Sequence, residues 1–321
     1  MSLLEVKDLQ VSFPQKQHGV KKEINVLEHV NFTLEQGEIL GLVGESGCGK
    51  TTLSRSILHL TEKKDGDIRL EGHSITQLSR SEISENIQMI FQDPLGSFNS
   101  RYTMMRSLRE TARVHHMGKE AFGEEIETLF SYTGLSAEMA QKYPSELSGG
   151  QLQRFAIVRA LLVKPKLLIA DEAVAALDVS IQREILNLLM YIRRKMNIAI
   201  LFISHDLRVV ENISDRVIVM YLGTIVESGT ASAIFHSPVH PYTGVLLSSR
   251  TKRRPDEVRE TEYQFEDIPN IFELPEGCRF RSRCSRCTDG ICTEKMPQLR
   301  EVESGHYAAC ELLQGTAVDR N

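Results

Sequence analysis

The segment GESGCGKT, Gly44 to Thr51, follows directly on the apolar run Ile39 to Val43 and opens a stretch suited to helix. A G-x-x-x-x-G-K-[ST] loop set between strand and helix constrains this chain more than any other feature. Its glycines let successive backbone N–H groups turn inward on phosphate oxygens, and the following helix adds the positive end of its dipole. Gly44, Glu45, Ser46, Gly47, Cys48 and Gly49 thus form a candidate phosphate cradle. Lys50 would neutralise β- and γ-phosphate charge, Thr51 would offer a hydroxyl to Mg²⁺, and Thr52 would donate to the α-phosphate. Cys48 sits at a variable position and reads as a tolerated small residue in preference to a redox switch. Alone, the loop points to nucleotide binding and to no particular reaction.

Around the loop the chain reads as α/β. Ile39 to Val43, Leu167 to Ala170, Ile198 to Ile203 and Val217 to Met220 are strand-sized apolar runs bounded by polar residues or glycine, the pattern of parallel strands covered on both faces. Ile181, Ile185, Leu188, Leu189 and Ile192 recur at helical spacing and predict a crossover helix. From Leu95 to Tyr143 there is no buried-strand run, and the helix-favouring mixture there predicts an inserted helical lobe. Thr251 to about Asp267 is charged and weakly apolar, which suits a linker; Lys252, Arg253 and Arg254 within it form either a solvated face or a contact for lipid headgroups. The 321 residues therefore divide into a large α/β unit, 1–250, with a helical subdomain at about 95–145, and a linker with a cysteine-rich domain, 251–321.

Several classes fall away. A net charge of −5 gives no basic excess for nucleic-acid binding. The longest apolar runs are far shorter than the roughly 18 to 20 residues that span a bilayer. The start, MSLLEVKDL, lacks the basic region and long apolar stretch of a secretory signal, so a cytosolic location is expected.

LLIADE, Leu167 to Glu172, is an apolar run ending in two carboxylates. Asp171 at that position would help hold Mg²⁺, and Glu172 would polarise water. Shortly upstream, Ser148, Gly149, Gly150 and Gln151 of LSGGQ place small residues before a helix, an anion site by the same dipole argument. With these motifs in order, the chain resembles the ABC-type ATPases. The resemblance implies a P-loop NTPase core of ABC type with an antiparallel β subdomain, an inserted helical subdomain and a small cysteine-rich C-terminal domain. It implies that LSGGQ binds the γ-phosphate of ATP held by another protomer. It further implies that Gln92 in IFQDP contacts Mg²⁺ and the attacking water, that Asp178 in AALD belongs to the D-loop, and that His205 after ILFIS contacts γ-phosphate. Phe13 in VSFP reads either as a core residue or as the aromatic that stacks on adenine.

GLVGESGCGKTTLSRSIL, IFQDPLGSFNSR, LDVSIQREILNLL, SPVHPYTGVLL and the terminal GCRFRSRC are similar to the oligopeptide/dipeptide/nickel importer branch. That likeness implies a peripheral subunit on the cytoplasmic face of the membrane, docked on two permeases and served indirectly by an extracytoplasmic solute receptor. Its ATPase partner is a second copy or a paralogue, and no nucleic acid is involved. Ala173 and Ala175 depart from the proline and serine common in DEAVAALD-type segments without replacing the acidic pair. The rival reading is a soluble ABC-type ATPase of nucleic-acid repair or translation; such proteins usually carry a long coiled-coil insertion or tandem cassettes, which are not seen here.

Five of the six cysteines lie in the last quarter. Cys278 and Cys284 are spaced C-x5-C, Cys284 and Cys287 C-x2-C, Cys284 and Cys292 C-x7-C, and Cys292 and Cys310 C-x17-C. Four thiolates can hold Zn²⁺ or a [4Fe–4S] cluster, or remain reduced without metal. The resemblance implies a cluster on Cys278, Cys284, Cys292 and Cys310, with Cys287 supernumerary. A metal would supply folding energy that so polar a tail lacks. His115, His116 and Met117 read as a solvated or packed part of the helical lobe rather than a metal site.

Overall fold

The computed structural model describes residues 2–17, 20–248 and 274–315. The charged stretch from Thr251 to Asp267, with Lys252, Arg253 and Arg254, lies outside the described residues.

The apolar runs become the centre of the larger sheet: β3 (Ile39–Val43), β7 (Leu167–Asp171), β8 (Ala199–Ile203) and β9 (Arg216–Tyr221). With β6 (Ile87–Ile90) they pair in parallel in the order β9-β3-β8-β7-β6. Successive side chains of these strands enter different cores. Ile39, Leu168, Ile200 and Val217 face one, while Leu40, Leu167, Leu201 and Ile218 face the other. A strand wetted on neither face has no reason to alternate with polar residues, and hence these segments are continuously apolar.

One core is closed by a second, antiparallel sheet of β1 (Leu4–Gln17), β2 (Val20–Leu34), β4 (Asp65–Leu70) and β5 (His73–Ser74), together with α1 (Lys50–Ile57) and α2 (Arg80–Asn86). The other is closed by helices. Here α6 (Val179–Met196) turns Ile185, Leu188, Leu189 and Ile192 onto the sheet as the crossover from β7 to β8. Beside it pack α5 (Gly149–Leu161) and, from the Leu95–Tyr143 stretch, α3 (Met104–Val114) and α4 (Lys119–Thr133). Three short helices, α7 (Leu207–Ile213), α8 (Ala231–His236) and α9 (Pro241–Ser248), complete the body.

The tail differs from the separate domain that its composition suggests. Antiparallel β10 (Thr224–Thr230) pairs with β9, and the tail strand β12 (His306–Ala308) pairs with β10, followed by β11 (Arg300–Glu303). The tail thereby extends the central sheet. Its Phe280 is 1% exposed and meets Tyr221 and Tyr242 with ring centroids 5.3 and 5.4 Å away. Burial of a whole aromatic side chain is worth about 1.5–3 kcal/mol, so this part of the tail draws folding energy from the body.

Candidate active site

The glycine loop leaves β3 and wraps the N-terminus of α1. Gly49 caps that helix with φ +106°, a conformation few other residues adopt, and a Cβ there would stand 2.8 Å from Leu27. Lys50 is buried; its Nζ donates to the carbonyls of Gly44 at 2.7 Å and Glu45 at 3.0 Å. A cavity of about 500 Å³ opens over the loop. Gly44, Ser46, Gly47, Gly49, Lys50, Thr51 and Thr52 line one side of it; Gln92, Asp171, Glu172 and His205 line the other, and Val26 of β2 completes the wall. These residues come from three strand ends and the segment after β6, so the parallel sheet is what gathers them.

Asp171 and Glu172 stand together at the end of β7. Burial, reinforced by the neighbouring Glu172 charge, raises the Asp171 pKa above the usual carboxylate value. Two adjacent carboxylates facing a glycine loop and one lysine are a donor set that a divalent cation would neutralise, and Mg²⁺ needs only one or two protein oxygens besides phosphate. Thr51, Gln92 and Asp171 fit that role. Glu172 has φ +48°, in the left-handed region, while its N–H donates to the Ile203 carbonyl at 2.9 Å. Strained backbone of this kind persists where the surroundings over-determine it. The His205 Nδ1 lies 3.3 Å from Glu172 Oε1, and its ring is largely exposed.

Other sequence-selected residues lie elsewhere. Glu45 and Cys48 form the back of the loop: Cys48 is 3% exposed within a core, where burial pushes its thiol pKa up. Phe13 is not a core residue. It is 42% exposed opposite Ile24, outside the cavity lining, and the apolar contact there is Val26, which the sequence reading missed.

Ser148 caps α5 and is not among the residues that line its own chain's cavity. Ser148 Oγ accepts from the Gln151 N–H at 3.3 Å, and Gln151 Oε1 accepts from the Ser148 N–H at 3.0 Å, a reciprocal capping box. Gly150 permits close packing, since a Cβ would stand 2.6 Å from Ile181 of α6. Ser148 and Gly149 are exposed beside that contact. Asp178 caps α6, accepting from Ser180 at 2.6 Å and from the Ile181 N–H at 3.0 Å; the Ser180 bond first, then the Ile181 bond, lowers its pKa.

The cysteines carry no metal geometry. All are free thiols, and among the described residues no group of three or more His, Cys, Asp or Glu side chains could hold a metal ion. Burial pushes the Cys278 thiol up to about 12 and raises Cys284 and Cys310 as well. The expectation of an iron–sulfur or zinc centre on Cys278, Cys284, Cys292 and Cys310 gains no support. His115 and Met117 pack at two grooves of the helical lobe.

Residues 27–175 match the ABC transporter family, and residues 226–292 match the family described as oligopeptide/dipeptide transporter, C-terminal region. Over 321 residues the chain is 40% identical to the oligopeptide transport ATP-binding protein AppF of Bacillus subtilis (strain 168), covering 97% of each chain. The chain belongs to the ABC transporter ATP-binding family. It is an ABC-type ATPase. It is also 42% identical over 317 residues to the oligopeptide transport ATP-binding protein OppF of Salmonella typhimurium, covering 95% of this chain and 93% of that one. Among solved structures it is similar to cbiO1 from Clostridium perfringens, part of the ABC transporter complex cbiONQ, at 26% identity and a TM-score of 0.65, covering 74% of this chain and 91% of that one.

Proposed function

We propose that this chain is the ATP-hydrolysing subunit of an importer for oligopeptides or dipeptides, and that it drives two membrane permeases between alternating states. The observation that carries this reading is the union, in one chain, of a complete hydrolytic half-site with the C-terminal region of peptide transporters. Both relatives named above are called oligopeptide transport ATP-binding proteins.

The residues divide the work. Lys50 exchanges loop carbonyls for phosphate oxygens, and the loop N–H groups take the rest of the charge. Glu172 orients or deprotonates the attacking water, with His205 beside it and toward the γ-phosphate. When bound, Mg²⁺ supplies charge neutralisation at the phosphate oxygens, with Thr51, Gln92 and Asp171 as its holders. The tip formed by exposed Ser148 and Gly149, with Gly150 buried behind them, serves the nucleotide of a second ATPase subunit, either another copy or a paralogue, and Asp178 stands beside it at that face. Catalysis is then positioning and electrostatics. Phe13, exposed on β1, is the aromatic available to adenine. No step runs through the cysteines.

For the permeases, the groove of about 710 Å³ bordered by α2, β6, α3 and α5 is the docking surface. Phe91 and Val114 are exposed apolar residues there, and His115 Nδ1 is buried with no hydrogen-bond partner among the described residues. Among those residues no helix is long and apolar enough to cross a membrane. As the ATPase of such an importer the chain would work from the membrane's cytoplasmic face. The test is reconstitution with the permeases in vesicles. Peptide-stimulated ATP hydrolysis and peptide uptake are the expected results; hydrolysis stimulated by nucleic acid or ribosomes, without permease, would contradict it.

A further inference from the structure

The second residue of the glycine loop is gripped by the tail. Arg283 is 5% exposed, and its guanidinium donates Nη1 to Glu45 Oε2 at 2.8 Å and Nη2 to Glu45 Oε1 at 2.9 Å. Nη1 also donates to the Tyr221 hydroxyl at 3.3 Å. The backbone of Glu45 is held as well. Its N–H donates to the Tyr242 hydroxyl at 3.0 Å, and its carbonyl accepts from Lys50 at 3.0 Å. Tyr242 in turn packs on Phe280 of the tail.

A second tail arginine reaches the same loop indirectly. Buried Arg279 donates to the Leu222 carbonyl and to Glu28, and the next N–H, that of Gly223, donates to the Cys48 carbonyl at 2.8 Å. Two fixed points on the loop, Glu45 and Cys48, thus trace back to residues 279–283.

The charge matters as much as the tether. Glu45 sits in a loop whose N–H groups serve phosphate, and an uncompensated carboxylate there repels a triphosphate. A bidentate guanidinium cancels that charge and fixes the side chain in one orientation.

We propose that Arg283 is a positioning residue for the nucleotide: by pairing with Glu45 it holds the glycine loop in its phosphate-binding form, so that the tail sets ATP affinity within the same chain. This rests on the glycine loop being the phosphate site. The experiment measures binding of a fluorescent ATP analogue with Mg²⁺ to the full-length protein and its variants. Arg283→Ala weakens binding about tenfold, equivalent to about 1.4 kcal/mol. Arg283→Lys keeps the charge and the fold but loses the fork, and weakens binding less. Adding Glu45→Gln to Arg283→Ala removes the stranded carboxylate and recovers about threefold of the lost affinity, the share carried by charge, while the share carried by the tether stays lost; simple loosening of the tail would allow no recovery. Arg286→Ala, an exposed change in the same tail, leaves binding unaltered. Wild-type binding by both Arg283 variants, or failure of Glu45→Gln to restore affinity, overturns the proposal. Absence of binding by the wild type, with no further loss in Lys50→Ala, would instead overturn the assignment of the loop itself and take the proposal with it.

Discussion

Two helix tips in this molecule are proposed phosphate sites, and only one is finished within the chain. The tip of α1 lies inside a cavity and carries Lys50; that of α5 is exposed and closed upon itself by Ser148 and Gln151. Neither has an acidic residue in its first turn, so both keep their positive dipole end available. The first is completed by β7, β8 and the segment after β6 of the same chain. The residues of the second are not among those that line that cavity. On the proposed reading one subunit holds two unlike halves of a site, and activity should depend on both while binding depends on the first.

The sharpest separation comes from Glu172→Gln, which should lower steady-state ATP turnover by on the order of 10³-fold, within the range for loss of a general base, while the nucleotide still binds. Near-normal turnover in a phosphate-release assay would remove Glu172 from its role. Lys50→Ala should cost about 10²-fold in turnover and, unlike Glu172→Gln, should lose nucleotide affinity as well; titration of a fluorescent analogue checks this. Ser148→Asp tests the other tip. Aspartate is as good an N-cap as serine, so α5 should keep its start, but its charge opposes a γ-phosphate. Turnover in the assembled transporter should fall at least about tenfold, with binding to the single chain unchanged within about twofold. Equal loss in both measurements would erase the distinction between the tips.

The smallest effect concerns stability. Since burial and Glu172 raise the Asp171 pKa above its unfolded value, the folded protein prefers the protonated carboxyl. The stability this provides is present at low pH and is lost as pH rises through the folded pKa. At pH 7 Asp171→Asn should therefore raise the nucleotide-free thermal midpoint by about 2 °C, while Mg²⁺-dependent turnover falls. A lowered midpoint would show that the carboxylate is compensated in some other way.

The finished tip was largely legible in the amino-acid order because its parts are local: an apolar strand, a glycine loop and a helix start. The strands β3, β7, β8 and β9 were legible because burial on both faces leaves unbroken apolar runs. Phe13 was only half legible: it lies two residues from the fully buried Val11, which suits a core place, yet it is 42% exposed opposite Ile24. The tail strands were illegible as well. β11 is mostly exposed and β12 has three residues, so neither shows a hydrophobic period; backbone pairing with β10 and the buried Glu227–His306 contact of 2.7 Å hold them instead. The Arg283–Glu45 pair joins positions 238 apart, and no short motif could announce it.

The central claim is that ATP is enclosed between the glycine loop of one subunit and the Ser148 tip of its companion. The most direct measurement is sedimentation velocity of Glu172→Gln protein, mixed with its ATPase companion, with and without Mg·ATP. The account predicts a closed pair that forms only with Mg·ATP and dissolves when Ser148→Asp is introduced. A pair that ignores nucleotide, or one that survives Ser148→Asp unchanged, would contradict it.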